Sequence, residues 1–180
     1  MTLALHISQM PSPLGMLFLI YQGKTLHVLD FADQYPPPSN HQADPFVRLL
    51  KSYGPYSLTK AENPFENLLN AYFAGDLTAL DTIDAAPAGT VFQRRVWSVL
   101  RAIPPATTTS YGSIAQQIGA PKASRAVGLA IGANPIALVI PCHRIIGANG
   151  ALTGYSGGLP RKSWLLAHES SAKIAASPAR

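Results

Sequence analysis

The segment Asp84-Ala85-Ala86-Pro87-Ala88-Gly89 divides the chain into two parts of opposite character, and this division constrains the fold more than any other feature. Before it, short apolar runs are punctuated by glycine and proline. Leu3 to Ile7 reads as a strand, Ser12-Pro13-Leu14-Gly15 as a turn, and Met16 to Tyr21 with Thr25 to Phe31 as a hairpin closed by Gln22-Gly23-Lys24. A stiff loop, Tyr35 to Asn40, precedes a helix capped by Asp44, with Pro45 at its first position and Phe46, Leu49, Leu50 and Tyr53 on one face. A second helix is expected from Asn63, with Pro64 at its first position and Gly75 at its end; Phe65, Leu68, Leu69, Tyr72 and Phe73 recur at helical spacing. After the division, Thr90-Val91-Phe92-Gln93 has the form of a capping box, and Pro104-Pro105 stops the helix it opens.

The charge balance reverses at the same place. Residues 1–88 carry four Lys/Arg against eight Asp/Glu, and residues 89–180 carry ten against the single acid Glu169. The two parts, −4 and +9, sum to the +5 of the whole. A basic second half suits a polyanionic partner, although a generic basic surface has the same count. The expected domains are therefore 1–88 and 89–180, with an Ala/Ser-rich tail from about 170 to 180 read as mobile.

One cysteine excludes an internal disulfide and a zinc site built from several thiolates, so no metal or other cofactor is expected. The N-terminus lacks a signal-peptide pattern, and the apolar run Leu14 to Tyr21 is too short to span a bilayer. A cytoplasmic protein in a reducing compartment is expected, with no membrane association.

Tyr111 to Gly119, a turn at Ala120-Pro121 and a segment from about Lys122 to Gly132 form a helix, a short turn and a second helix. The second helix holds Ala123, Ser124, Ala126, Gly128, Ala130 and Gly132. Small side chains suit close packing on a neighbouring helix, or entry into a nucleic-acid groove with Arg125 as wedge or phosphate contact. The apolar run Ile136 to Ile140 then delivers Pro141-Cys142-His143-Arg144. The cysteine reads either as a small buried hydrophobe or as a nucleophile whose thiolate the neighbouring cations favour. The last helix, about Leu159 to Glu169, places Glu169 on the side of Leu165 and Leu166, where a carboxylate needs a partner. A relay in which Glu169 orients His143 and His143 activates Cys142 follows, unless Glu169 pairs with a surface arginine. Gly154-Tyr155-Ser156-Gly157-Gly158 supplies a tight turn beside such a site, with Tyr155 able to stack and Ser156 to hydrogen-bond.

The runs Ile140-Pro141-Cys142-His143-Arg144-Ile145-Ile146, Gly154 to Leu159 and Trp164-Leu165-Leu166-Ala167-His168-Glu169 together resemble the O6-alkylguanine-DNA alkyltransferases. Ser110-Tyr111-Gly112, Arg125-Ala126-Val127-Gly128 and Asn134-Pro135 match in the same order, so the clear match covers about residues 89–169. The resemblance implies an α+β fold: a small antiparallel sheet with helices in the first half (a ribonuclease H-like roll) and a mostly helical winged helix-turn-helix domain in the second. It implies Cys142 as alkyl acceptor, His143 as its base through a water, and Glu169 as orienting acid. Asn134 would brace the turn before the active-site strand, and Tyr111 would give a proton to the leaving guanine. Arg125 would fill the gap left by the extruded base. Ser110, Ala123, Ala126, Gly128, Arg144, Tyr155 and Ser156 would contact DNA or the flipped base.

The implied reaction takes the alkyl group of O6-alkylguanine, chiefly O6-methylguanine, from double-stranded DNA in a single turnover. The protein is expected as a monomer, nucleoid-associated when bound, with cooperativity along DNA left open. Two other readings share the residues. A Cys–His–Glu hydrolase would turn over repeatedly without DNA, and a non-catalytic winged-helix DNA binder would not need Cys142.

Overall fold

The period-two alternation of β2 (Gly15–Gln22) splits its side chains between two apolar layers. Leu17, Leu19 and Tyr21 enter the main core, whereas Phe18 and Ile20 join Leu5, Val28 and Leu50 in a smaller cluster on the other face. Both faces of the sheet are thus covered, which is why its strands read as continuous apolar runs. The computed structural model describes residues 2–35, 50–51 and 53–176. The helix expected from Asp44 lies outside the described residues, apart from its end at Leu50 and Lys51, which are helical.

β1 (Leu3–Ser12), β2 and β3 (Thr25–Phe31) form an antiparallel meander, with Ser12 opposite Gly15 and Gln22 opposite Thr25. Two short strands then join its outer edges in parallel: β4 (Tyr56–Lys60) beside β1 and β5 (Asp84–Ala85) beside β3. The order is β4-β1-β2-β3-β5, so the expected antiparallel sheet is extended by a parallel strand at each edge. Helix α1 (Glu66–Phe73) begins later than its proline suggests. Asn63 Oδ1 accepts the N–H of Phe65 at 3.0 Å, making a side-chain turn that occupies the place of a first helical turn.

The second half is helical. In α2 (Val91–Arg101) both bonds of the Thr90–Gln93 capping box are made. α3 (Tyr111–Gln117) is capped by Ser110, whose Oγ accepts the N–H of Ser113 at 3.2 Å, and it stops before Gly119, which has a φ of +67°. α4 (Ser124–Gly132) follows, its start two residues later than Lys122. Trp97 of α2 locks onto it by donating Nε1–H to the carbonyl of Ala130 at 2.8 Å. β6 (Thr109–Ser110) and β7 (Ile145–Ile146) form a two-stranded parallel ladder between the helices. The long final helix α5 (Leu159–Ala176) carries residues 170–176 as further turns, so this part of the expected mobile tail is helix.

One core runs through both halves: Leu29 and Leu69 from the first pack in it with Trp97, Ile114, Val127 and Ile136 from the second. The backbone is stitched as well. Leu29 donates its N–H to the carbonyl of Pro135 at 3.0 Å and accepts from the N–H of Ala137 at 2.7 Å. These bonds pin the chain just before Cys142. The run Ile136 to Ile140 is buried as expected, but it is not a strand. Leu138 has a φ of +67°, and Ile140 donates its N–H back to the carbonyl of Ile136 at 3.0 Å, so the run is folded into turns that a ladder cannot accept. Among the described residues no helix is long and apolar enough to cross a membrane.

Candidate active site

The turn at 136–140 ends in a single turn of 3-10 helix, Cys142–Arg144, whose three side chains are all buried. Each points to a different task. Cys142 is 4% exposed and lines a cavity of about 160 Å³ with Tyr111, Gly128, Ile131, Tyr155 and Ser156 among its walls. Two larger hollows lie elsewhere. One, of about 340 Å³, reaches Pro141 and Arg144 from the side of Tyr72 and Arg101. The other, of about 640 Å³, lies along β1 and the segment after β4. Neither includes Cys142.

His143 is fully buried, and its Nε2 lies 2.9 Å from Glu169 Oε1. A carboxylate at Nε2 fixes the proton there, which leaves Nδ1 as the basic nitrogen, and Nδ1 is buried with no hydrogen-bond partner among the described residues. Burial lowers the pKa of His143 below its ordinary value, against the raising effect of Glu169, so the ring is a neutral base at neutral pH. Glu169 is itself fully buried and receives a dense set of donors. Tyr72 Oη–H donates at 2.9 Å, the N–H of Ala106 at 2.9 Å, and Arg144 through Nε and Nη2 at 3.1 and 2.8 Å. Burial alone raises the pKa of a carboxylate, but the donors and cations around Glu169 win and hold it well below the usual range.

This arrangement corrects two expectations. Arg144 is not turned outward: its guanidinium is buried against Glu169 and donates Nη1–H to the carbonyl of Ile103 at 2.6 Å. Nor do the sequence-adjacent cations acidify the thiol. Burial dominates and pushes Cys142 up to about 11, with the hydrogen bond from Asn134 acting against it. Asn134 Nδ2 donates to Cys142 Sγ at 3.2 Å and to the carbonyl of Ile140 at 2.8 Å, while Oδ1 accepts the N–H of Ile136 at 3.0 Å. Asn134 thus both braces the turn and touches the sulfur.

The remaining expected residues divide between the cavity and the surface above it. Tyr111 Oη donates to the carbonyl of Thr153 at 3.2 Å and lines the cavity. Tyr155 is half-buried, its hydroxyl buried without a partner among the described residues, and Ser156 is exposed at the mouth. On α4, Arg125 and Ala126 are exposed and Ala123 and Gly128 half-buried, while Ser110 caps α3. A Cβ on Gly132 meets nothing within 4 Å, and one on Gly128 makes only ordinary contact with Tyr111 at 3.7 Å. Among the described residues, packing therefore requires glycine at neither position.

Four residues escaped the sequence reading: Tyr72, Lys162, Asp30 and Arg161. Lys162 is fully buried and donates Nζ–H to the carbonyls of Ile145, Thr153 and Gly154, holding the loop before Tyr155 in place. Asp30 is buried near the end of β3, where its carboxylate accepts from Phe31 N–H, Gln34 Nε2 and Tyr35 Oη. The lone acid Glu169 was conspicuous by charge, whereas these four carry no local signal.

Comparison with known proteins adds the following. Residues 91–171 match the family model described as 6-O-methylguanine DNA methyltransferase, DNA binding domain. A methylated-DNA–protein-cysteine methyltransferase of Salmonella typhimurium is 55% identical over 116 residues, covering 63% of this chain and 68% of the relative. One from Mycolicibacterium paratuberculosis is 50% identical over 158 residues, 88% of each chain. The crystal structure of Mycobacterium tuberculosis OGT in complex with DNA superposes with a TM-score of 0.77 at 44% identity, covering 93% of this chain and 94% of that one.

Proposed function

The chain belongs to the O6-methylguanine-DNA methyltransferase family and repairs O6-methylguanine in DNA by alkyl transfer to a cysteine, and from this premise we propose that Cys142 is the acceptor, with His143, Glu169, Asn134 and Tyr111 as its apparatus. One observation carries the assignment: the sole cysteine lines a cavity that also holds Tyr111, Tyr155 and the small-residue face of α4.

A base stacked in a duplex cannot reach this cavity, so the damaged nucleotide is rotated out of the helix. α4 enters the groove with Ala126, Gly128 and Gly132 against the DNA, and exposed Arg125 fills the space the base vacates. Ser110 and Ala123 flank the backbone, and Ser156 meets the base edge while Tyr155 forms its wall. The thiol is protonated at rest, so its proton passes through a water to Nδ1 of His143. Glu169 stabilises the imidazolium that results. Asn134 donates to the sulfur as it becomes negative. The thiolate then attacks the alkyl carbon: the S–C bond forms, the C–O6 bond breaks, and its electron pair remains with guanine. Tyr111 supplies a proton to that leaving group. The thioether is stable to water, so each molecule acts once. The protein acts in the cytoplasm, on double-stranded DNA, as a monomer and without a cofactor.

Incubation with duplex DNA carrying labelled O6-methylguanine is expected to place about one label per protein on Cys142, and Cys142→Ser to bind DNA without taking label. Continued turnover, or label at another residue, rules the assignment out. Arg125→Ala is expected to slow repair of duplex DNA more than attack on the free alkylated base, and equal losses on both would remove the wedge role.

A further inference from the structure

The first half of the chain holds one wall of the alkyl pocket from behind. That wall is the segment Gly154-Tyr155-Ser156, and Gly157 follows it directly. Gly157 is wedged so tightly that a Cβ there would lie 2.6 Å from the Tyr155 ring and 2.9 Å from Phe31 at the end of β3. Its carbonyl accepts from Arg161 Nη1 at 3.2 Å. The guanidinium stands over the Phe31 ring, with its carbon 4.2 Å from the ring centroid. Its other donors reach into the first half: Nη2 meets Asp33 Oδ2 at 2.7 Å, and Nε meets the carbonyl of Leu14 at 2.8 Å. A planar fork bonded in three directions and stacked on a ring cannot tilt without losing contacts. Arg161 is thus a strut between the N-terminal sheet and the pocket wall.

We propose that Arg161, aimed by Asp33, is a positioning residue that sets how far Tyr155 stands from Cys142 and hence how bulky an alkyl group the pocket admits. The proposal rests on Cys142 being the acceptor. Arg161 lies outside the cavity and touches no reacting atom. With the strut removed, Gly157 loses the bond that draws it onto Phe31, and Tyr155, packed against Gly157, is free to move outward. A methyl group needs none of that space, whereas a butyl group does.

The test is the pair of second-order transfer rates to Cys142 from one duplex sequence carrying either O6-methylguanine or O6-butylguanine. Arg161→Ala is expected to raise the butyl-to-methyl ratio about tenfold, the scale at which pockets discriminate methylene groups. Arg161→Lys keeps a donor and is expected to restore part of the wild-type ratio. Asp33→Asn shifts the ratio in the same direction by less. Because the Asp33 side chain is 63% exposed, that variant decides the matter even if Arg161→Ala does not fold. A merely structural role lowers both rates by one factor; an unchanged ratio in the Arg161 and Asp33 variants overturns the proposal. Wild-type protein that takes label on Cys142 separates this failure from that of the acceptor assignment. Absence of that label overturns both.

Discussion

Replacing Glu169 by glutamine keeps the shape of the side chain and removes its charge. In the native structure that charge is fully buried and answers the guanidinium of Arg144, the Nε2 proton of His143, the hydroxyl of Tyr72 and the N–H of Ala106. The substitution leaves Arg144 as a buried cation facing a neutral amide. Breaking a buried ion pair from one side costs about 3–5 kcal/mol. A domain of this size loses about 2–4 °C of melting temperature per kcal/mol, so a fall of roughly 6–20 °C is expected. A total stability near the middle of the usual range, about 10 kcal/mol, leaves the variant folded, and alkyl transfer can still be measured. It is expected to slow by about 10²-fold or more, the scale of a lost general base, because His143 no longer has a carboxylate to support its imidazolium.

The pH dependence supplies an independent signature. The folded-state pKa of Glu169 is depressed, so its contribution is complete above the unfolded value of about 4.3 and is lost as pH falls toward the native one. His143 is also depressed, so wild-type stability begins to fall below about pH 6.5, where the unfolded histidine takes a proton that the native one refuses. The wild-type melting curve is therefore expected to steepen below about pH 4.3, and the glutamine variant to lack that second limb. Thermal unfolding between about pH 2 and 8 reads both effects. A loss below about 1 kcal/mol, or an unchanged acid limb, would refute the account of Glu169 as the charge that holds the site together.

Asn134→Ala removes the donor on Cys142 Sγ, leaves the Ile136 N–H without its acceptor, and leaves the Ile140 carbonyl only the N–H of Cys142. Thiol alkylation by iodoacetamide is expected to shift to higher pH and repair to slow about 10- to 100-fold; an unchanged thiol profile removes Asn134 from activation. Asp30→Asn tests the other buried acid, which burial pushes up to about 6 despite its hydrogen bonds. A raised folded-state pKa contributes stability that is complete below about pH 3.9 and lost as pH rises through 6. The neutral amide escapes that loss, so the variant should gain about 3 kcal/mol relative to wild type between about pH 4 and 7.5. A difference in unfolding free energy that does not vary with pH contradicts this.

The elements legible in the sequence are those with local causes. The hairpin follows from apolar runs around Gly23, α2 from its capping box, and the helix pair from Gly119 and helical spacing. Glu169 was legible because a lone acid on an apolar helix face has to be answered. What escaped depends on partners distant in the chain. β5 spans two residues, and only its parallel pairing with β3 makes it a strand. Arg144 lies two residues after Cys142 in sequence, yet the 3-10 turn sends its side chain to Glu169. Burial, which no neighbour count reveals, then reverses the inference that nearby cations acidify the thiol. The run Ile136 to Ile140 was read correctly as buried, but composition does not report the positive φ at Leu138 that prevents a strand.

A residue that reacts once is a stock and not a catalyst, and a stock has to keep. With burial pushing the Cys142 thiol up to about 11, the thiolate is a minor form at neutral pH. Oxidants and stray electrophiles attack that form, so the idle protein ages slowly although its sulfur is meant to react. The burial that delays the chemistry is in this sense its shelf life: the capacity for repair a cell holds in reserve is set by the walls around Cys142 as much as by the amount of protein made.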